Sequence, residues 1–330
     1  MAEYKAIRGH TIRTIAGDAS PLVTGDIWYS STTRKIRGAK IGAGAWASGG
    51  NLNTAREYGA GIGTQTAALV ACVTTATAVL DSVESYDGSS WSEIADTNTA
   101  RGTDSWNGDG TQTAGIVEGG FAPGGPAVTD ETEIWNGTAW TEVNDLNTAK
   151  ASHAGTSEGT TTATLAFGGS YPSPHTATVE SYNGTSWTEI TDLNTSRERL
   201  SGCGTSTAAL AIDGATTPGA GASGIQRTES WNGTAWTEVA DTSTVHYWGT
   251  AFGNSTAALV AGSYPAATHT DEWNGTAWAE AAAFSTSRVL HNAGTGGPGV
   301  NGGIIIGGSP VSNATEEWTK AVAAVSFTSS

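Results

Sequence analysis

The chain has 330 residues, of which only 14% are charged and 45 are Gly. The lack of long apolar runs excludes a membrane-spanning helix, and the wealth of Gly, Thr, Ala, Ser and Asn is that of many short strands joined by tight turns. The net charge of −16 is uneven: residues 1–40 hold seven Lys or Arg against three acids, and the other 290 residues hold eight against 28, so a basic head precedes an acidic body that repels nucleic acid and anionic membranes.

The chain begins MAEYKAIRGHTIRT, with no apolar core of a secretory signal. Residues 5–16 read as a strand, 17–21 as a turn and 26–38 as a hairpin. Forty residues are too few for an independent core, so this head, 1–40, is expected to be stabilised in an oligomer or larger assembly. Its docking groups are expected to be Arg8, Arg13, Trp28, Tyr29, Arg34, Lys35 and Arg37, beside the apolar Ile7, Ile12, Ile15, Leu22, Val23 and Ile27. They suit an acidic, symmetric host structure.

From residue 41 onward the sequence repeats. Its first unit reads as four strands: EYGAGIG at 57–63, AALVACV at 67–73, SVESY at 82–86 and WSEIA at 91–95. The last two are joined by YDGSSW, residues 86–91, which recurs as WNGTAW at 135–140, 231–236 and 273–278 and as YNGTSW at 182–187. Asn-Gly-Thr is also a glycosylation acceptor, but Asp87 in the first copy keeps the turn chemistry and removes the acceptor. The spacing predicts a two-residue type I′ turn with positive φ at both Asn136 and Gly137, making Trp135 and Trp140 diagonal neighbours on one sheet face.

Aligning units on the aromatic before the turn gives Tyr86, Trp135, Tyr182, Trp231, Trp273 and Trp318. Aligning on the one after it gives Trp46, Trp91, Trp140, Trp187, Trp236 and Trp278. Trp46 opens its series without a partner and Trp318 closes the other without one. The missing fourth strand of the last unit (third strand TEEWT, 315–319) is therefore expected from GAWAS, 44–48, at the start of the array. The fold predicted is all-β: a six-bladed β-propeller of four-stranded blades over 41–330, its last blade closed by an N-terminal strand, behind a short β-hairpin docking segment. Slim inner strands explain the Gly and Ala of each first strand, and the twelve aromatics are expected to pack between blades. Cys72 and Cys203 occupy different places in different units and are expected to be buried small hydrophobes, not a disulfide.

The Gly-rich inner strand, the Gly doublets (Gly119-Gly120, Gly168-Gly169, Gly307-Gly308) and an aromatic followed five residues later by Trp resemble kelch-type propellers, the fold also used by the central domain of galactose oxidase. Ala71-Cys72, Asp213-Gly214 and Ala261-Gly262 depart from the doublet. The LNTAR, GTQTA and GTSW style of repeat, behind GDIWYSSTTRKIRG at 25–38, is similar to kelch-like structural proteins of bacteriophages that infect aquatic bacteria. That resemblance implies a virion location and other virion proteins as partners of residues 1–40.

A segment such as NLNTAR, 51–56, enters every unit, and its last position holds Arg56, Arg101, Lys150, Arg197, His246 and Arg288. Six-fold geometry makes these a ring of cations near one mouth of the channel. They are either an anion site or internal ion pairs; acids recur at Asp96, Asp145, Asp192 and Asp241, at Glu93, Glu142, Glu189, Glu238 and Glu280 two residues after a fourth-strand Trp, and in third strands at Glu84, Glu133, Glu180, Glu229, Asp271 and Glu316. Loops between second and third strands vary in length and offer Phe121, Tyr171, His175, Tyr264 and His269, which suit sugar rings or protein epitopes. The histidines are scattered, no CxxC or HExxH occurs, and WNGDG, 106–110, lacks the alternating acids of a calcium loop. The expectation is a non-enzymatic virion protein without metal or cofactor, tail-associated or fibre-like and displayed for recognition of a host-surface glycan or protein. The alternatives are a capsid decoration or head-fibre protein, and a kelch-like lectin or enzyme.

Overall fold

The computed structural model describes residues 12–75, 78–102, 108–123, 127–170, 175–216, 224–264, 267–289, 294–297 and 300–327. The chain divides into two compact units, Met1–Gly44 with Lys320–Ser330, and Ala45–Thr319.

The larger unit contains six four-stranded antiparallel sheets. Their innermost strands are Ala60–Thr64, Gly108–Thr111, Ala154–Gly155, Ser201–Thr205, Thr250–Asn254 and Gly294–Gly296. These strands are slim because their neighbours come very close. A Cβ on Gly202 would stand 2.2 Å from the Gly155 carbonyl oxygen, and one on Gly61 would stand 2.6 Å from that of Gly294.

The sixth sheet contains Gly294–Gly296, Gly302–Ile306 and Thr315–Thr319, and its fourth strand is Ala45–Ser48 from the start of the array. There Trp318 pairs with Trp46. The corresponding partners elsewhere are Tyr86 with Trp91, Trp135 with Trp140, Tyr182 with Trp187, Trp231 with Trp236, and Trp273 with Trp278. Ring centroids in the six pairs lie between 4.9 and 5.5 Å apart.

Hydrophobic burial is concentrated between adjacent blades. Ile62 and Leu69 of the first pack with Val117, Trp135 and Trp140 of the second, and Ile304 and Ile306 of the sixth pack with Val70, Tyr86 and Trp91 of the first. Main-chain bonds repeat the connection: Gly120, Gly169 and Gly308 donate their N–H to the carbonyls of Lys150, Arg197 and Arg56 at 2.9, 2.9 and 3.0 Å. The last of these joins the sixth blade to the first.

The turn between paired aromatics differs from the type I′ expectation. Trp135 and Trp140 are directly opposed across a four-residue loop. Positive φ occurs at Gly137, +89°, and not at Asn136. Asn136 instead closes the loop with its side chain, Oδ1 accepting the N–H groups of Thr138 and Ala139 at 2.9 Å each. An Asx-type turn satisfies amides that a two-residue hairpin would have placed in the ladder.

Where the sequence departs from the Gly doublet, the backbone does not. Cys72, Gly119, Gly168, Asp213, Gly262 and Gly307 all have positive φ, between 53° and 79°. This places Cys72 and Gly262 at the first doublet position. Both cysteines are buried and free.

The smaller unit is a separate four-stranded sheet of Arg13–Ile15, Ile27–Ser30, Lys35–Ile41 and Val322–Ser326. The first two strands are parallel and the others antiparallel. Its fourth strand comes from the far end of the sequence, which the reading of the head as residues 1–40 did not include. Trp28 is buried and donates Nε1–H to the Gly17 carbonyl at 3.2 Å.

Candidate functional site

Each blade entry carries the same polar device. The third strand supplies a carboxylate, and the preceding connection wraps around it. Arg101 meets Glu133 at 2.6 Å, Lys150 meets Glu180 at 3.0 Å, Arg288 meets Glu316 at 2.9 Å and His246 meets Asp271 at 3.3 Å. Arg56 pairs with Glu84 and Arg197 with Glu229 in the same way.

The carboxylate also accepts backbone N–H groups of the connection: Asn53 at 2.8 Å, and Asn98, Asn147, Asn194, Ser243 and Ser285 at 2.7 Å. One acid thus fixes both the charge and the path of the chain entering the blade. All six of these basic side chains are buried, with relative exposures of 0–1%. Burial pushes the Glu229 carboxyl up, but the Arg197 charge and the Asn194 amide outweigh it and hold it below the usual range. Asp271 is held low against its burial by His246 and Ser243.

Of the acid sets recurrent in the sequence, the third-strand set provides these partners because it shares a sheet face with the buried aromatics. Glu133 and Trp135 alternate with the half-buried Ile134. The fourth-strand acids Glu93, Glu142, Glu189, Glu238 and Glu280 are exposed. Asp145 and Asp241 accept the N–H of Thr132 and Thr228, at the start of the third strand, at 3.1 and 3.3 Å.

Asp109 of the WNGDG segment has no exposed surface and ties two blades together. Its carboxylate accepts from Thr156 Oγ1 at 2.7 Å, from the Gly159 N–H at 3.0 Å and from Thr164 Oγ1. Among the described residues no group of three His, Cys, Asp or Glu is placed to hold a metal.

Of the loop residues, Tyr171 lies outside the described residues. Phe121 and Gly102 exchange main-chain hydrogen bonds, and His175 is bridged to Ser170. His269 is exposed in the strand Ala267–Trp273. Tyr264, 40% exposed, packs edge-on against Tyr247 and Trp248. No described ring contact joins Phe121, His175 or His269 to that group.

The Tyr247-Trp248 pair was not singled out in the sequence. Its signal was available: HYW follows the fifth connection, where the other described blades have REY, KAS and RER. Arg199 completes the cluster, its guanidinium carbon 4.3 Å from the Trp248 ring centroid.

Of the head residues, Arg8 lies outside the described residues. Arg37 is directed within the unit, to Asp18 Oδ2 and the Ala324 carbonyl, each at 3.3 Å. Trp28 is core and Tyr29 half-buried, while Arg13, Arg34 and Lys35 are exposed. The apolar face lies on the other side of the sheet from Trp28. Ile27 pairs with Gly38 and Gly38 with Val325, while the Phe327 N–H donates to the Ile36 carbonyl. Ile27, Ile36, Val325 and Phe327 are 36–46% exposed, and nearby Val23 is 57% exposed.

The chain resembles the solved structure titled "Structure of YjhT" with a TM-score of 0.62 at 12% identity, over 84% of this chain and 96% of that one. The shared fold is a β-propeller. No protein-family model matches the chain, and no curated protein matches it. At that identity the likeness to YjhT is one of fold alone, and the buried pairs and the aromatic cluster are read from this chain's own geometry.

Proposed function

We propose that the chain is a non-enzymatic structural protein of a bacteriophage particle, attached through the smaller unit and using the propeller to recognise a host surface. The observation that carries this reading is the apolar face of the smaller sheet. Five large apolar side chains, Val23, Ile27, Ile36, Val325 and Phe327, are at least 36% exposed on a unit too small to support a large core. Exposed Arg34, Lys35 and Lys40 lie in the same hairpin, so an acidic and apolar protein surface is the complementary partner.

The propeller supports the non-catalytic part of the reading through how its charges are used. The six buried basic side chains and their carboxylates are matched to one another and to the chain path. Such pairs position backbone; a reacting group needs access to substrate.

The test is incorporation. Ile36→Glu combined with Phe327→Glu places two charges on the apolar face and leaves the propeller sequence unchanged. Purified particles are expected to lack the double variant, while the isolated protein keeps its β-sheet circular dichroism. Unchanged incorporation would remove the smaller sheet as the attachment surface.

A further inference from the structure

The residue two places after the buried cation is left-handed at four described blade entries: Tyr58 at φ 54°, Ser152 at 55°, Arg199 at 57° and Trp248 at 60°. Glycine takes this conformation freely, whereas other residues are strained there by about 1–2 kcal/mol. The positions are linked in series, Arg199 N–H donating to the Ser152 carbonyl at 2.7 Å and Trp248 N–H to the Arg199 carbonyl at 3.1 Å. The repeat therefore fixes this backbone but leaves the side chain open. Bulky Arg and Trp, in place of the glycine the backbone favours, indicate a demand on the side chains.

At the junction of the fourth and fifth blades these side chains form one cluster. Tyr247 and Trp248 stack with centroids 5.1 Å apart and planes 15° apart. Arg199 lies over Trp248 and donates from Nη1 to the Tyr247 hydroxyl at 2.5 Å. Glu198 Oε1 stands 3.3 Å from the same nitrogen, so the guanidinium charge is already balanced. Tyr264 stands nearly perpendicular to both aromatic rings, 6.1 Å from Tyr247 and 5.3 Å from Trp248. Its main-chain N–H is pinned to the Tyr247 carbonyl at 2.8 Å, yet 40% of the residue is exposed.

From this geometry we infer a saccharide-binding site in which the exposed Tyr264 ring takes the apolar face of a neutral pyranose and Arg199 meets its hydroxyls. The inference rests on the recognition reading above and names its ligand class. A single pinned ring matches the size of one sugar and is far smaller than the roughly 800 Å² per partner of a stable protein interface. The balanced Arg199–Glu198 pair favours neutral hydroxyls over an anion, which would meet the carboxylate as well. Tyr247 and Trp248 hold the platform from behind and are positioning residues.

The test uses the full-length protein on an array of neutral hexose and hexosamine oligosaccharides, with carboxylated sugars on the same array, followed by titration of the best ligand. Tyr264→Ala is expected to weaken binding about tenfold or more while the propeller stays folded by circular dichroism. Arg199→Gly, which suits the left-handed backbone, is expected to weaken binding while the propeller stays folded. Glu142→Gln, on an exposed fourth strand of another blade, is expected to leave binding unchanged. Binding of a neutral sugar that neither Tyr264→Ala nor Arg199→Gly alters would overturn this site and leave the recognition reading standing. Binding confined to carboxylated sugars, or cell binding without any sugar binding, would overturn the ligand class alone. Failure to bind both sugars and cells would overturn the site and the recognition reading together.

Discussion

His153 is fully buried, and among the described residues neither ring nitrogen has a hydrogen-bond partner. Glu118 Oε1 stands 3.8 Å from Nε2, and Lys150 and Glu180 form the adjacent ion pair. Burial, reinforced by the Lys150 charge, lowers the His153 pKa to about 3. The unfolded chain takes up its proton near pH 6.5 and the folded chain does so only near 3, so this residue removes stability as pH falls through that window. Leu200 occupies the equivalent place in the next blade and is also fully buried. His153→Leu is therefore expected to flatten the loss of stability between pH 6.5 and 3, read from urea midpoints at several pH values. An unchanged pH profile would remove His153 as its source. The buried Arg101–Glu133 pair makes a second prediction at this scale. Glu133→Gln leaves Arg101 buried against a neutral partner and is expected to cost about 3 kcal/mol by denaturant unfolding, with Arg101→Met added to it recovering part of that loss. The recurrent cations were legible from spacing, because one position in six units held them. Their partners were not, since several recurrent acids competed and only the face shared with the buried aromatic chooses Glu133 over Glu142 or Asp145.

The hairpin from Trp135 to Trp140 is stabilised by its turn as well as by its tryptophans. Asn136 Oδ1 accepts two turn amides, and Gly137 supplies the left-handed step. Asn136→Ala removes the acceptor and is expected to cost about 1 kcal/mol by thermal or urea unfolding, with Asn136→Asp restoring most of it. The first blade already uses the Asp form. There Asp87 is held down to about 2 by the N–H and hydroxyl groups of Ser90 and Ser89. That bonding is present above the ordinary carboxylate pKa and is lost as pH falls towards 2. The existence and place of these turns were legible because Asn-Gly and Asp-Gly recur between aromatics. The turn type was not, because the same dipeptide serves a two-residue loop and a four-residue Asx loop. HYW marked Tyr247 and Trp248 as a departure from the other units, but their meeting with Arg199 and Tyr264 was not legible, since the cluster forms between two blades.

In the whole molecule, six inter-blade cores recur around the propeller, and the offset of Trp46 and Trp318 in the sequence was enough to predict which strand completes the sixth sheet. Trp46 packs on Trp318, Phe252 and Phe284, and its Nε1–H donates to Thr270 Oγ1 at 3.1 Å. Trp46→Ala is expected to cost about 3–5 kcal/mol, and native-state hydrogen exchange should show the loss first in Ala45–Ser48 and Thr315–Thr319. The strand Val322–Ser326 was not legible as part of the smaller sheet, because AVAAVSF is short and uncharged and carries nothing that points to Lys35–Ile41 near the other end of the sequence. It contributes Val325 to the face on which the functional account depends, with Phe327 just beyond it. Electron cryomicroscopy of intact particles carrying this chain tests that account most directly. Density for a six-bladed propeller, reached from the particle through the sheet bearing Ile36 and Phe327, is the predicted result. A particle map in which the propeller makes the contact and that sheet stands in solvent would contradict it.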